Sequence, residues 1–256
     1  MNDDLLEKLL QSKKYRDVCP DTVRRIWGEC AAKHKKPKDA ERAAREALHG
    51  ITGAFMTPAE AAGCAADIRA WHGGARGDEQ LERLLKWHAS TRERLPLSAM
   101  DALYARIFAL TGTPGHVLDL ACGINPIYLA ARGVRTTGVD ISGEAVRLIN
   151  AFGMPADAVC GDLLCRLPEG RHDVALLFKA LPLLERQRRG AAADVLRAID
   201  ARCIVASFPT RTLGGRNVGM AGHYAAWMAE QLPDNRRIVG MFEIENEMFY
   251  ILEERN

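Results

Sequence analysis

Asp119, Asp140 and Asp162 are the residues whose types and spacing first suggest chemistry. Asp119 opens the turn Asp119-Leu120-Ala121-Cys122-Gly123-Ile124-Asn125-Pro126, whose small residues let a backbone approach a ligand closely. Asp140 follows 21 residues after Asp119, at the end of a second apolar run. An acidic side chain there can accept both hydroxyls of a ribose. Asp162 ends a third run and is placed to read an adenine amino group. A dinucleotide fingerprint would need three glycines, G-x-G-x-x-G, to cradle a pyrophosphate, and this turn has Gly123 where that motif has three. A ribose-binding acid without a pyrophosphate loop fits a nucleoside cofactor such as S-adenosyl-L-methionine. The competing reading is an ordinary strand–turn–helix with capping aspartates.

These residues need strand ends to hold them. Short apolar runs at 117–121, 134–140, 158–162, 174–178 and 203–208 read as buried strands, and the runs at 238–243 and 247–252 are close enough to pair as a hairpin. Ser142 can cap the helix after the second strand, and the fourth runs into a helix through about Ile199. Alternating strands and helices imply a parallel sheet with helices on both faces, an α/β architecture whose ligands sit at the C-terminal strand ends. Residues 1–110 read as helices instead. Asp21 is a candidate cap for a helix with Val23, Ile26, Trp27 and Cys30 on one face. Thr57-Pro58-Ala59-Glu60 is a capping box. Leu81, Leu84, Leu85 and His88 form an apolar stripe, and Leu103, Ile107 and Leu110 mark a last helix before the loop 111–115. The expected division is a helical domain at 1–110 and a cofactor-binding domain at 111–256.

The chain of 256 residues is 48% hydrophobic and 27% charged, enough for a sizeable core and without an apolar stretch near the roughly 18 residues of a membrane span. An acidic opening, Met1-Asn2-Asp3-Asp4, is unlike a signal peptide, so a cytoplasmic location is expected. Seven scattered cysteines without a C-x-x-C pair read as reduced thiols, with neither zinc site nor disulfide frame. The net charge of +2 hides an asymmetry: Lys13, Lys14, Arg16, Arg24, Arg25, Lys33, Lys35, Lys36 and Lys38 face only Asp17, Asp21 and Glu29. Residues 13–38 therefore carry +6 and the remainder −4. Such a block suits either a docking face for a polyanion or a solvated helical surface.

Longer runs make the sequence recognisable. They are Ser12-Lys13-Lys14-Tyr15-Arg16, Cys19-Pro20-Asp21-Thr22-Val23-Arg24-Arg25, Leu48-His49-Gly50-Ile51, His88-Ala89-Ser90-Thr91-Arg92-Glu93-Arg94, the turn 117–126, Phe178-Lys179-Ala180-Leu181-Pro182-Leu183-Leu184-Glu185-Arg186 and Ser207-Phe208-Pro209-Thr210-Arg211 with its extension through Arg216. In this order they resemble the 16S rRNA (guanine-1405 N7) methyltransferases, a family that confers aminoglycoside resistance. The resemblance implies a Rossmann-like class I methyltransferase sheet behind an N-terminal all-helical domain that docks on the 30S subunit as a monomer. It assigns the cofactor to Gly123, Asp140, Asp162 and Leu163, joined by Phe55, His88, Ala89, Ser90, Arg94, Phe178 and Gln187. The 88–94 segment would fold back to bring Arg94 near the methionine carboxylate. RNA contacts are expected from Lys13, Lys14, Arg16, Arg24, Arg25, Lys35 and Lys36, and at the base from Lys179 and Arg211, with Phe178 or Phe208 available for stacking.

Guanine N7 is an exposed lone pair with no proton to lose, so no general base is required. That agrees with the lack of a convincing acid–base pair and leaves alignment as the main task. Other readings share parts of this pattern: methylation of a nearby adenine N1, methylation of a non-RNA substrate, or a ribosome-binding protein with a vestigial fold. The basic block argues against the second and the strand-end acids against the third.

Overall fold

The structure, a computed structural model, describes residues 2–52, 55–210 and 220–255. It opens with three helices, α1 (Asn2–Gln11), α2 (Pro20–Lys33) and α3 (Pro37–Thr52). Leu9, Tyr15, Val23, Ile26, Trp27, Ala44 and Leu48 close over one another as a small core of their own. The expected cap of α2 is shifted: Cys19 occupies that position without a side-chain hydrogen bond, and Asp21 sits in the first turn, where its charge favours the helix N-terminus. Residues 17–19 then stitch this bundle to the sheet. Val18 bridges Ser142 in antiparallel fashion, Cys19 N donates to Ile141 O (2.7 Å) and Gly143 N donates to Asp17 O (2.7 Å).

Four helices follow, α4 (Pro58–His72), α5 (Asp78–Leu85), α6 (Ala89–Arg92) and α7 (Leu97–Thr111). The Thr57–Glu60 capping box forms with both of its hydrogen bonds (3.2 and 2.7 Å). Next come β1 (Val117–Leu120), α8 (Asn125–Ala131), β2 (Thr136–Asp140), α9 (Gly143–Phe152), β3 (Ala156–Cys160), β4 (His172–Phe178), α10 (Leu181–Gln187), α11 (Ala191–Ala198), β5 (Ala201–Pro209), α12 (Met220–Gln231), β6 (Arg236–Ile244) and β7 (Glu247–Glu254). The seven strands form one sheet in the order β3-β2-β1-β4-β5-β7-β6, parallel except for β7, which runs antiparallel to both β5 and β6. Strand order reverses between β1 and β4, and that switch point opens a crevice at the C-terminal ends of the strands.

Helices cover both faces, as the alternating pattern requires. Residues of α4, α5 and α7 to α9 pack with Val117, Val174, Val205 and Ile251 on one face. Residues of α10 to α12 pack with Leu118, Leu177, Ile204 and Leu252 on the other. Thus α4, α5 and α7 share the sheet's core, and the loop 111–115 is not a break in packing; the separate core ends with α3. The helix expected between the fourth strand and Ile199 is two helices, because Gly190 adopts φ +82° between them. Asp162 lies two residues beyond β3 rather than at its last position.

Candidate functional site

The turn after β1 passes through two left-handed residues, Ala121 (φ +55°) and Gly123 (φ +54°). Gly123 has no room for a side chain: a Cβ there would stand 2.5 Å from His88 Cε1. A second close approach uses a glycine outside the turn. A Cβ on Gly138 of β2 would stand 2.9 Å from Cys122 Sγ and 3.0 Å from Pro126 Cγ. The fingerprint glycines that the turn lacks are therefore partly supplied by the neighbouring strand. Asp140 at the end of β2 fixes the turn, its two oxygens accepting from Gly123 N and Ser142 N (2.8 Å each). Burial raises its pKa, opposed by those N–H groups.

The segment 88–94 folds back over this turn. His88 is buried, its Nδ1 accepts from Ser90 N (3.3 Å) and lies 2.8 Å from Ser90 Oγ, and Phe55 stacks on it with centroids 5.9 Å apart. Ala89 N donates to Phe55 O (3.0 Å). Burial, reinforced by Arg94, pushes the His88 pKa down to about 4, so the ring is neutral near pH 7. Arg94 reaches the other side of the switch point. Its guanidinium lies 4.6 Å over the Phe178 ring and forks onto Glu247 through Nε (3.1 Å) and Nη2 (2.8 Å). Lys179, in the left-handed region (φ +56°) after β4, contacts Glu93 (2.6 Å) and Glu247 (3.4 Å). Glu247 also accepts from Ser207 Oγ. Burial alone would raise the Glu247 pKa, and the Arg94 and Lys179 charges outweigh it and hold it below the usual carboxylate range.

The third part of the site lies beyond β3. Asp162 is buried, accepts from Leu164 N (2.8 Å) and is gripped by Arg25 of α2, whose Nε is 3.0 Å and whose Nη2 is 2.9 Å from Oδ2. The same Nη2 donates to Gln187 Oε1 (2.8 Å). The side chain of Leu163 is packed in the core among Leu120 and Val139. Arg25, expected on the RNA face, is thus turned inward by the buried Asp162 and the half-buried Gln187. Lys13, Lys14, Arg16, Arg24, Lys35 and Lys36 remain exposed. Phe208 is fully buried against Tyr224, Trp227 and Tyr250, which excludes it as a stacking platform in this conformation. Arg211 lies outside the described residues.

Several residues of the site were given no cofactor or RNA role from the sequence. Asp119 is buried at the end of β1, accepts from Asn125 Nδ2 (2.6 Å), and is pushed by burial up to about 7. Asn125 also contacts the Tyr104 hydroxyl (2.7 Å). A charged residue inside an apolar strand was the available signal for Asp119. Glu247 had none, since an acid opening a strand after a hairpin turn reads as a solvated end.

The protein-family model described as "Ribosomal RNA methyltransferase (FmrO)" matches residues 11–251. The chain is 42% identical over 254 residues to a 16S rRNA (guanine(1405)-N(7))-methyltransferase of Serratia marcescens, covering 97% of each chain. It is 33% identical to the protein of that name from Micromonospora echinospora, over 98% of this chain and 96% of that one. Among solved structures it is similar to the 16S rRNA methyltransferase RmtF in complex with S-adenosyl-L-homocysteine, with a TM-score of 0.89, 43% identity, and 99% and 98% of the two chains covered. The 16S rRNA methylase RmtB follows, with a TM-score of 0.87, 38% identity, and 100% and 99% of the two chains covered.

Proposed function

The chain belongs to the FmrO family of ribosomal RNA methyltransferases, and from that premise we infer that it transfers a methyl group from S-adenosyl-L-methionine to N7 of guanine 1405 of 16S rRNA. The observation that carries this reading is similarity along the whole chain, with the strand-end residues Gly123, Asp140 and Asp162 gathered on one edge of the sheet. By the family resemblance the modification protects the ribosome against aminoglycosides.

The residues present fit the cofactor. Asp140 uses one acceptor position on each oxygen for a backbone N–H and keeps one on each for a ribose hydroxyl. Gly123 leaves the turn bare of a side chain. Arg94 commits Nε and Nη2 to Glu247, and among the described residues its Nη1 makes no hydrogen bond, which suits a carboxylate acceptor. Phe55 and His88 form an apolar wall, and Asp162 and Gln187 border the far end. When bound, S-adenosyl-L-methionine supplies a methyl already activated on a sulfonium. The protein then has to hold guanine N7 in line with it and exclude water. No residue needs to remove a proton, because N7 carries none. The buried neutral His88 and the buried Asp119 therefore serve the architecture of the site rather than acid–base chemistry.

On the RNA side, the exposed lysines and arginines of residues 13–38 form the docking face for the 30S subunit, with α1 to α3 as the docking unit. Lys179 approaches the target by exchanging its exposed partner Glu93 for RNA, while the buried Glu247 keeps its ammonium at the site. The test is transfer of a labelled methyl group from S-adenosyl-L-methionine to purified 30S subunits, alongside aminoglycoside susceptibility of cells making the protein. Transfer with raised resistance is the expected result; no transfer to 30S subunits would contradict the reading.

A further inference from the structure

Arg25 stands on a helix of the docking bundle, yet it donates hydrogen bonds to Asp162 and Gln187, two residues assigned to the cofactor. Its side chain is 14% exposed and that of Asp162 is 3%. A carboxylate offers about two acceptor positions on each oxygen. Arg25 donates to Asp162 Oδ2 through Nε (3.0 Å) and holds its Nη2 2.9 Å from the same oxygen. Leu164 N fills one on Oδ1 (2.8 Å). One acceptor position remains on Oδ1, while the guanidinium crowds Oδ2. The same guanidinium draws Gln187 Oε1 to 2.8 Å, and Gln187 Nε2 is tied to Leu183 O (3.2 Å). Glu29, one turn along α2, takes Nη1 (3.2 Å) and completes the fork.

We propose that Arg25 is a positioning residue for the adenine end of the cofactor site: by occupying Asp162 Oδ2 and Gln187 Oε1 it fixes the carboxylate so that Oδ1 alone faces the adenine 6-amino group. This rests on the reading above that Asp162 meets adenine. A planar guanidinium suits the task better than a point charge, because from one rigid group it holds both Asp162 Oδ2 and Gln187 Oε1 in place. Without it the carboxylate rotates, exposes Oδ2 to water, and loses its single directed acceptor. The consequence is base selectivity: adenine donates from its 6-amino group, whereas the 6-oxo base hypoxanthine presents an acceptor at the same place.

The test is calorimetric, on the full chain, with S-adenosylhomocysteine and S-inosylhomocysteine, which differ at that position. The wild-type protein should prefer the adenosyl compound. Arg25→Gln should lower the preference by about fivefold, the worth of one hydrogen bond, chiefly by weakening S-adenosylhomocysteine. Arg25→Lys keeps the charge without the fork and should show the same fall, so the readout survives if the glutamine variant does not fold. A merely structural link between bundle and sheet would weaken both ligands equally. A preference that is unchanged or larger in a folded variant overturns the proposal. A wild-type protein that binds both compounds without preference overturns the assignment of Asp162 to adenine itself, and one that binds neither overturns the cofactor reading.

Discussion

In the proposed site one carboxylate, Asp140, serves the fold and the ligand together. It pins Gly123 and Ser142 and retains acceptor capacity for two ribose hydroxyls. Asp140→Ala should weaken S-adenosylhomocysteine binding by about 1–3 kcal/mol, the range for losing a hydrogen bond to a charged group. Calorimetry on the folded variant checks it, and unchanged affinity would remove Asp140 from the site. Asp119 gives a pH-dependent expectation. Burial raises its pKa to about 7 from an ordinary value of 3.8, so the folded protein prefers the protonated form. The stability this group contributes is full below pH ~4 and is lost as pH rises through about 7. Asp119→Asn removes that dependence, so the variant should gain melting temperature over the wild type at pH 8 and show a clearly smaller gain at pH 5. Equal gains at both pH values would show that Asp119 ionises as easily folded as unfolded. Residues such as Asp140 were legible because position at a strand end carries meaning by itself. Arg25 and Glu247 were not, because their roles depend on partners 137 and 153 residues away, Asp162 and Arg94, that no local pattern announces.

At the scale of elements, the strands were readable because buried parallel strands are short, nearly continuous apolar runs bounded by turn residues. Each expected run overlaps an observed strand, including the final hairpin. What the pattern concealed was the break between α10 and α11, where Gly190 stops a segment whose periodicity looks continuous. It also concealed α12, for which the sequence suggested no element. The helical region carried a further surprise. In sequence α4, α5 and α7 read as helices like those before them, and only packing reveals that they complete the sheet's core while α1 to α3 form their own. The basic block therefore belongs to the small bundle, and that makes docking separable from chemistry. Reversing Lys13, Lys14 and Arg24 to Glu alters three exposed side chains, of which, among the described residues, only Arg24 has a charged partner, the exposed Asp21. The triple variant should lose tight 30S binding and the slope of log affinity against log salt should fall by about 2–3, because fewer counterions are released. Cofactor affinity should be retained. Survival of 30S binding with an unchanged salt slope would reduce the block to a solvated surface.

In the whole molecule, a bundle of three helices joins a class I methyltransferase sheet through the 17–19 stitch and the Arg25–Asp162 contact. None of the helices described is long and apolar enough to cross a membrane. A surface built from several helices reads a shaped target rather than a base sequence, so the folded subunit should be the substrate and naked 16S RNA should not. The product is equally specific, since methylation at N7 places a positive charge on the guanine and makes the chain cleavable at that nucleotide by borohydride followed by aniline. The direct measurement is this cleavage, mapped by primer extension after incubating the protein with S-adenosyl-L-methionine and either 30S subunits or free 16S RNA. A single new stop at guanine 1405 in the 30S sample, with none in the free RNA, is the predicted result. Modification of an adenine, or methyl transfer to 30S subunits without cleavage at guanine 1405, would contradict the central claim.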